Sequence, residues 1–148
     1  MATNKLDMRF PEPMRGMRAH LEDAIEADPF LQGASGVLAV ADIDSGMMYW
    51  TLVNQDSYLR EEVEGKEDAN FLAIALQKAG TVMARGCFNT PPQVLYKGDT
   101  EWRGGISLHL HGRNLVIAFS GATEEQDERI ARIALEYYGQ FLQELHPQ

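Results

Sequence analysis

The sequence predicts an α+β domain, an antiparallel sheet with helices packed against it. Apolar residues recur at helical spacing near both ends and in the middle of the chain. Between these stretches lie short runs rich in apolar, aromatic and β-branched residues. The runs follow one another through turns, giving the order α–β–β–α–β–β–β–α rather than alternating βαβ units.

Residues 1–12 read as a flexible arm closed by Pro11 and Pro13, ahead of a single α+β domain over 13–148. Met14, Met17, Leu21, Ala24 and Ile25 then mark a helix, which Pro29 stops near Asp28 because the residue before proline avoids the helical region. Gly33 and Gly36 mark a turn, and the apolar run Gly36–Ile43 reads as a strand covered on both faces. Asp44-Ser45-Gly46 is turn chemistry, so Met47–Val53 should pair back as a hairpin. A short helical stretch is expected over Ser57–Glu64. After Gly65 a longer helix is expected over Asp68–Arg85, carried by Leu72, Ala75, Leu76, Ala79, Val82 and Met83, with Gly86 as its C-cap.

Pro91 and Pro92 exclude a helix interior, and Val94–Tyr96 reads as a short edge strand. In Ile106–His111 the alternation puts Ile106, Leu108 and Leu110 on one face and Ser107, His109 and His111 on the other. Gly112-Arg113 fits a two-residue turn into the apolar run Leu115–Phe119. The last helix has the clearest start. Thr123 and Gln126 stand at capping-box spacing, and Glu124, Glu125 and Asp127 sit where the helix dipole favours negative charge.

Composition bounds the partners. With 148 residues, 45% hydrophobic, the chain can bury a core as one domain. Its net charge of −9 repels phosphate backbones and anionic headgroups, so neither nucleic acid nor membrane is an expected partner. Cys87 is the only cysteine, which excludes an internal disulfide and a multi-thiolate zinc site. No apolar run resembles a signal peptide or a membrane span, and the expected location is cytoplasmic.

The run Gly104-Gly105-Ile106, then Gly112, then Ala118-Phe119-Ser120-Gly121-Ala122-Thr123-Glu124-Glu125-Gln126-Asp127 resembles the end of the HbpS/GlcG-like family. Lys78-Ala79-Gly80-Thr81 and the strand Val37–Asp42 are similar to further family segments. Ser107 stands where the family commonly has Pro, and Met47–Val53 is bulkier than the usual second strand. The resemblance implies a profilin-like domain, a five-stranded antiparallel sheet flanked by helices, assembled as a dimer or larger homo-oligomer. It also implies a small-molecule-binding accessory role, with haem or a small carboxylate as the ligand.

The candidate ligand-binding residues are His20, Lys78, Arg103, Gly104, Gly105, Ser120 and Gly121. His20 is a candidate axial haem ligand with Met14 and Met17 as a soft wall, or a boundary histidine beside core methionines. Arg103 offers a bidentate clamp for a carboxylate, and Gly104-Gly105 let backbone amides approach it, although a turn before a strand needs glycine anyway. Ser120-Gly121 lead into a helix N-terminus, which can receive an anion or simply start the helix. Lys78 either pairs with an anionic ligand or snorkels from the helix edge.

His109 and His111 share a strand face, yet two ligands fall short of the three or four a metal site needs, and no metal is expected. Cys87 follows a helix C-terminus, which suits a thiol poorly as nucleophile. No catalytic residue is assigned, because neither a nucleophile elbow, a P-loop nor a dinucleotide fingerprint is present. Ligand binding, an enzyme acting on a small anion, and a structural or interaction module therefore all stay open.

Overall fold

In a computed structural model the chain is described at residues 11–85, 94–100, 105–110 and 113–145, with side chains at 16–85, 94–100, 105–107 and 114–141. The expectations for the arm before Pro11, and for Cys87, Arg103, Gly104, His111 and the His109 side chain, lie outside those residues.

Helix α1 spans Pro11–Ala27. It starts at the first proline because a proline near a helix N-terminus loses no hydrogen bond. A 3-10 turn, Pro29–Leu31, follows, and the Asp28 carboxylate accepts the Phe30 amide at 2.9 Å. Strands β1 (Gly36–Asp42) and β2 (Met47–Val53) form the expected hairpin. Strands β3 (Leu59–Arg60) and β4 (Ala69–Asn70) make a separate two-stranded ribbon. Helix α2 (Phe71–Arg85) precedes β5 (Gly105–Leu110), β6 (Arg113–Ser120) and helix α3 (Glu124–Leu145).

The main sheet is antiparallel with strand order β2-β1-β6-β5. Among the described residues it has four strands, and the expected fifth, Val94–Tyr96, is not one. Side chains of α2 claim that segment instead. Arg85 donates to the Val94 carbonyl at 2.6 Å and stacks over Tyr96, while the Thr81 hydroxyl accepts the Thr100 amide at 3.0 Å. The helix expected over Ser57–Glu64 is replaced by the β3–β4 ribbon. Gly65 turns it at φ 81°, the Tyr58 carbonyl accepts the Phe71 amide at 2.9 Å, and Glu61, Glu62 and Glu64 stay exposed rather than sharing a helical turn.

The two faces of the sheet are built from residues of different size. Leu38, Val40, Leu115, Ile117 and Phe119 meet α1 and α3 through Met17, Leu21, Ile25, Ile130 and Tyr138. The opposite face presents Ala39, Ala41 and Ala118, and α2 lies on it through Ala75, Ala79 and Val82. Small residues on both partners let this helix approach closely. Gly105 shows how closely: a Cβ there would lie 2.8 Å from Val82 Cγ2 and 3.0 Å from the Lys78 carbonyl.

Candidate functional site

Helix α2 and the junction between β6 and α3 meet through one ion pair. Lys78 sits among the apolar positions Ala75, Ala79 and Val82, so its side chain points toward the sheet rather than outward. Its Nζ donates to Asp127 Oδ2 and to the Phe119 carbonyl, each at 2.8 Å. The two side chains are only 2% and 5% exposed. Asp127 Oδ1 accepts the Ala122 amide at 2.9 Å, so the same carboxylate holds the turn that starts α3. Burial pushes the Lys78 amine down, against the pull of Asp127 and Glu124. Burial likewise pushes Asp127 up, against Lys78 and the amides of Ala122 and Gly121. The pair carries no net charge in either form, ionic or neutral.

This pair forms part of the wall of a cavity of about 580 Å³. The β3–β4 ribbon contributes Arg60 and Asn70, the start of α2 contributes Phe71 and Ile74, and the β6–α3 junction contributes Ser120 and Gly121. The ribbon fixes Arg60: its Nε donates to the Glu67 carbonyl at 2.9 Å, and its guanidinium lies 5.1 Å from the centre of the Phe71 ring. Its two terminal amino groups have no protein partner among the described residues, which leaves the fork open to a carboxylate. Ser120 is 3% exposed, and no described group engages its hydroxyl. Asn70 spends its oxygen on the Ala73 amide at 2.9 Å, capping α2 and leaving its NH₂ for a ligand. Donors thus converge on an apolar wall.

The sequence candidates divide around this cavity. Lys78, Ser120 and Gly121 line it. His20 is exposed on α1, beyond the opposite face of the sheet, with its ring stacked on Tyr137 at 4.4 Å. Gly105 is not on the wall, and α2 fills the space beside it. Gly121 has a backbone reason of its own: at φ 140°, a Cβ would run into the Ser35 carbonyl and Gly36 Cα. The turn into α3 already has bonded amides at Ala122, Thr123 and Gln126. Asp127 takes Ala122, and Gln126 and Thr123 bond reciprocally at 3.2 Å.

The described lining holds no His, Cys or Met, so its residues do not fit the iron of a haem. Nor does any group of three or more His, Cys, Asp or Glu among the described residues suit a metal ion.

Arg60 and Asp127 escaped the sequence reading. Arg60 is drawn to the site by a main-chain carbonyl and a ring, neither of which leaves a mark in the sequence. A signal for Asp127 did exist. A lysine in register with the apolar positions of a helix needs a buried acid, and an acid in the first turn of the last helix can supply it.

No family model matches the chain, and no curated protein matches it. A solved structure does. The crystal structure of Klebsiella pneumoniae protein ORFY, a DUF336 protein, matches with a TM-score of 0.56 at 17% identity, over 83% of this chain and 88% of that one. At that identity the likeness shows a shared fold.

Proposed function

We propose that this protein is a small-molecule-binding accessory protein whose ligand is a small carboxylate held in the cavity between the β3–β4 ribbon, α2 and the start of α3. The open guanidinium fork of Arg60 above that cavity carries the reading. Bidentate contact with a guanidinium is the strongest neutral-pH recognition of a carboxylate that side chains offer. Phe71 and Ile74 supply the apolar surface that small-ligand sites use for affinity. A panel of small carboxylates read by thermal shift tests it, since a ligand at about 100 times its Kd adds roughly 2.7 kcal/mol of stability. Arg60→Gln should remove the shift. An unchanged shift in that variant would take Arg60 out of the site.

The Lys78–Asp127 pair supports a second reading, an enzyme acting on a small anion. A buried amine and carboxylate that burial moves toward neutrality, on a cavity wall, are suited to passing a proton. Exchange of deuterium from solvent into a bound carboxylate, lost in Asp127→Asn, would favour this reading over binding alone.

We also propose that the chain self-associates through the edge strand β2. Met47–Val53 carries no charge and no proline, the two common guards of a free edge. Trp50 is 47% exposed on it.

A further inference from the structure

We infer that the ligand is a zwitterion, a molecule bearing a carboxylate and a positively charged amino group on a small apolar body. This rests on the carboxylate reading above and adds the second head. The charges on the cavity wall lead to it. Lys78 and Asp127 cancel one another at 2.8 Å. What remains is Arg60 with Glu67 and Asp68 beside it on the β3–β4 ribbon, since Glu124 acts on Lys78. The Glu67 and Asp68 carboxylates have no protein partner among the described residues. A simple carboxylate would meet the Arg60 fork and be repelled by the two acids beside it. A simple amine would meet the acids and be repelled by Arg60. A molecule with both heads satisfies both sets.

Other features agree. The Arg60 guanidinium already stacks on Phe71 at 5.1 Å, so a ligand ammonium is left to the carboxylates rather than to that ring. Ser120, 3% exposed and with a hydroxyl that no described group engages, can donate to one head or accept from the other. The whole chain carries −9, which opposes the approach of a free anion but not of a molecule with no net charge. Apolar α-amino acids are the simplest members of this class.

Calorimetric titration of the full chain with a panel of apolar L-amino acids, each paired with its deaminated acid and its decarboxylated amine, tests the inference. For leucine these are 4-methylpentanoate and 3-methylbutylamine. The amino acid is expected to bind about ten-fold or more tighter than either single-headed analogue. Glu67→Gln with Asp68→Asn should erase the advantage over the acid, and Arg60→Gln should erase the advantage over the amine. All three positions are away from the buried core, and unchanged circular dichroism would confirm that the variants fold. An acid that binds as tightly as its parent amino acid overturns the zwitterion and leaves the carboxylate reading standing. So does an advantage that survives the acidic double substitution. If no carboxylate of any kind binds, the carboxylate reading falls, and this inference with it.

Discussion

Lys78 shows how a single buried charge can organise a site. Removing one member of a buried pair leaves the other charged and unpaired, which costs about 3–5 kcal/mol, whereas replacing both can be close to neutral. Lys78→Met should therefore cost about 3–5 kcal/mol in urea unfolding. Adding Asp127→Leu to it should recover more than half of that. The remainder should be near the roughly 1 kcal/mol of a lost helix cap, because Asp127 also holds the Ala122 amide. A double loss equal to the sum of the losses of Lys78→Met and Asp127→Leu measured separately would mean that the pair is not coupled. A pH test follows from the same group. In Asp127→Asn, burial pushes the Lys78 amine down with its main opposing influence gone. Between that lowered value and the range of a free lysine, the unfolded chain holds more protons than the folded one, so stability rises with pH. Below the lowered value both states hold the proton and the full cost of burial is present. Urea midpoints of this variant should climb from pH 7 to pH 10, more steeply than those of the parent protein.

At the scale of elements, the start of α3 is the most heavily determined piece of the fold. Thr123 and Gln126 bond reciprocally at 3.2 Å, and Gln126 also donates to the Phe30 carbonyl at 2.9 Å, tying α3 to the 3-10 turn that follows α1. Thr123→Ala should cost about 1 kcal/mol, the usual value of an N-cap. Gly121→Ala should cost at least about 1–3 kcal/mol from its backbone conformation, with the collision against Ser35 and Gly36 added. Chemical denaturation of both variants would rank them, and a smaller loss at Gly121 than at Thr123 would contradict that account. The capping box was legible in the sequence because its partners are three residues apart and answer only to local geometry. The β1–β2 hairpin and α2 were legible for the same reason, through turn chemistry and apolar period. Lys78 and Asp127 are 49 residues apart, and only the packing of α2 on the small residues of the sheet brings them together. Arg60 was hidden more deeply, since its position depends on a ribbon where the sequence suggested a helix. Val94–Tyr96 has the composition of a strand, yet Arg85 takes its Val94 carbonyl and Thr81 holds the Thr100 amide just beyond it.

For the whole molecule, the open question is what covers β2. On the face that α2 occupies, Met48, Trp50 and Leu52 are in line, with Met48 packed at the edge of one apolar cluster and Leu52 at the edge of another. Trp50 lies between them and stays half exposed. Among the described residues the strand also has an unpaired outer row of backbone N–H and C=O groups, because β1 pairs with only one side of it. A chain of net charge −9 can approach its own copy most easily where no charge is carried, and Met47–Val53 is such a place. An antiparallel copy of the same strand would extend both sheets across a two-fold axis and cover both tryptophans, an isologous contact of the commonest kind. Sedimentation of the parent protein should then show a mass that rises with concentration toward twice the 16.6 kDa chain. Trp50→Lys should return it to a single chain and, at dilutions where both proteins are single chains, change the unfolding free energy by no more than an exposed substitution does, roughly 0.5 kcal/mol. Higher salt should leave the association intact or strengthen it, because screening relieves the repulsion between two acidic chains while the contact itself is uncharged. A protein that sediments as one chain at every concentration would show that β2 is a free edge after all, and a dimer that survives Trp50→Lys would move the contact to another face.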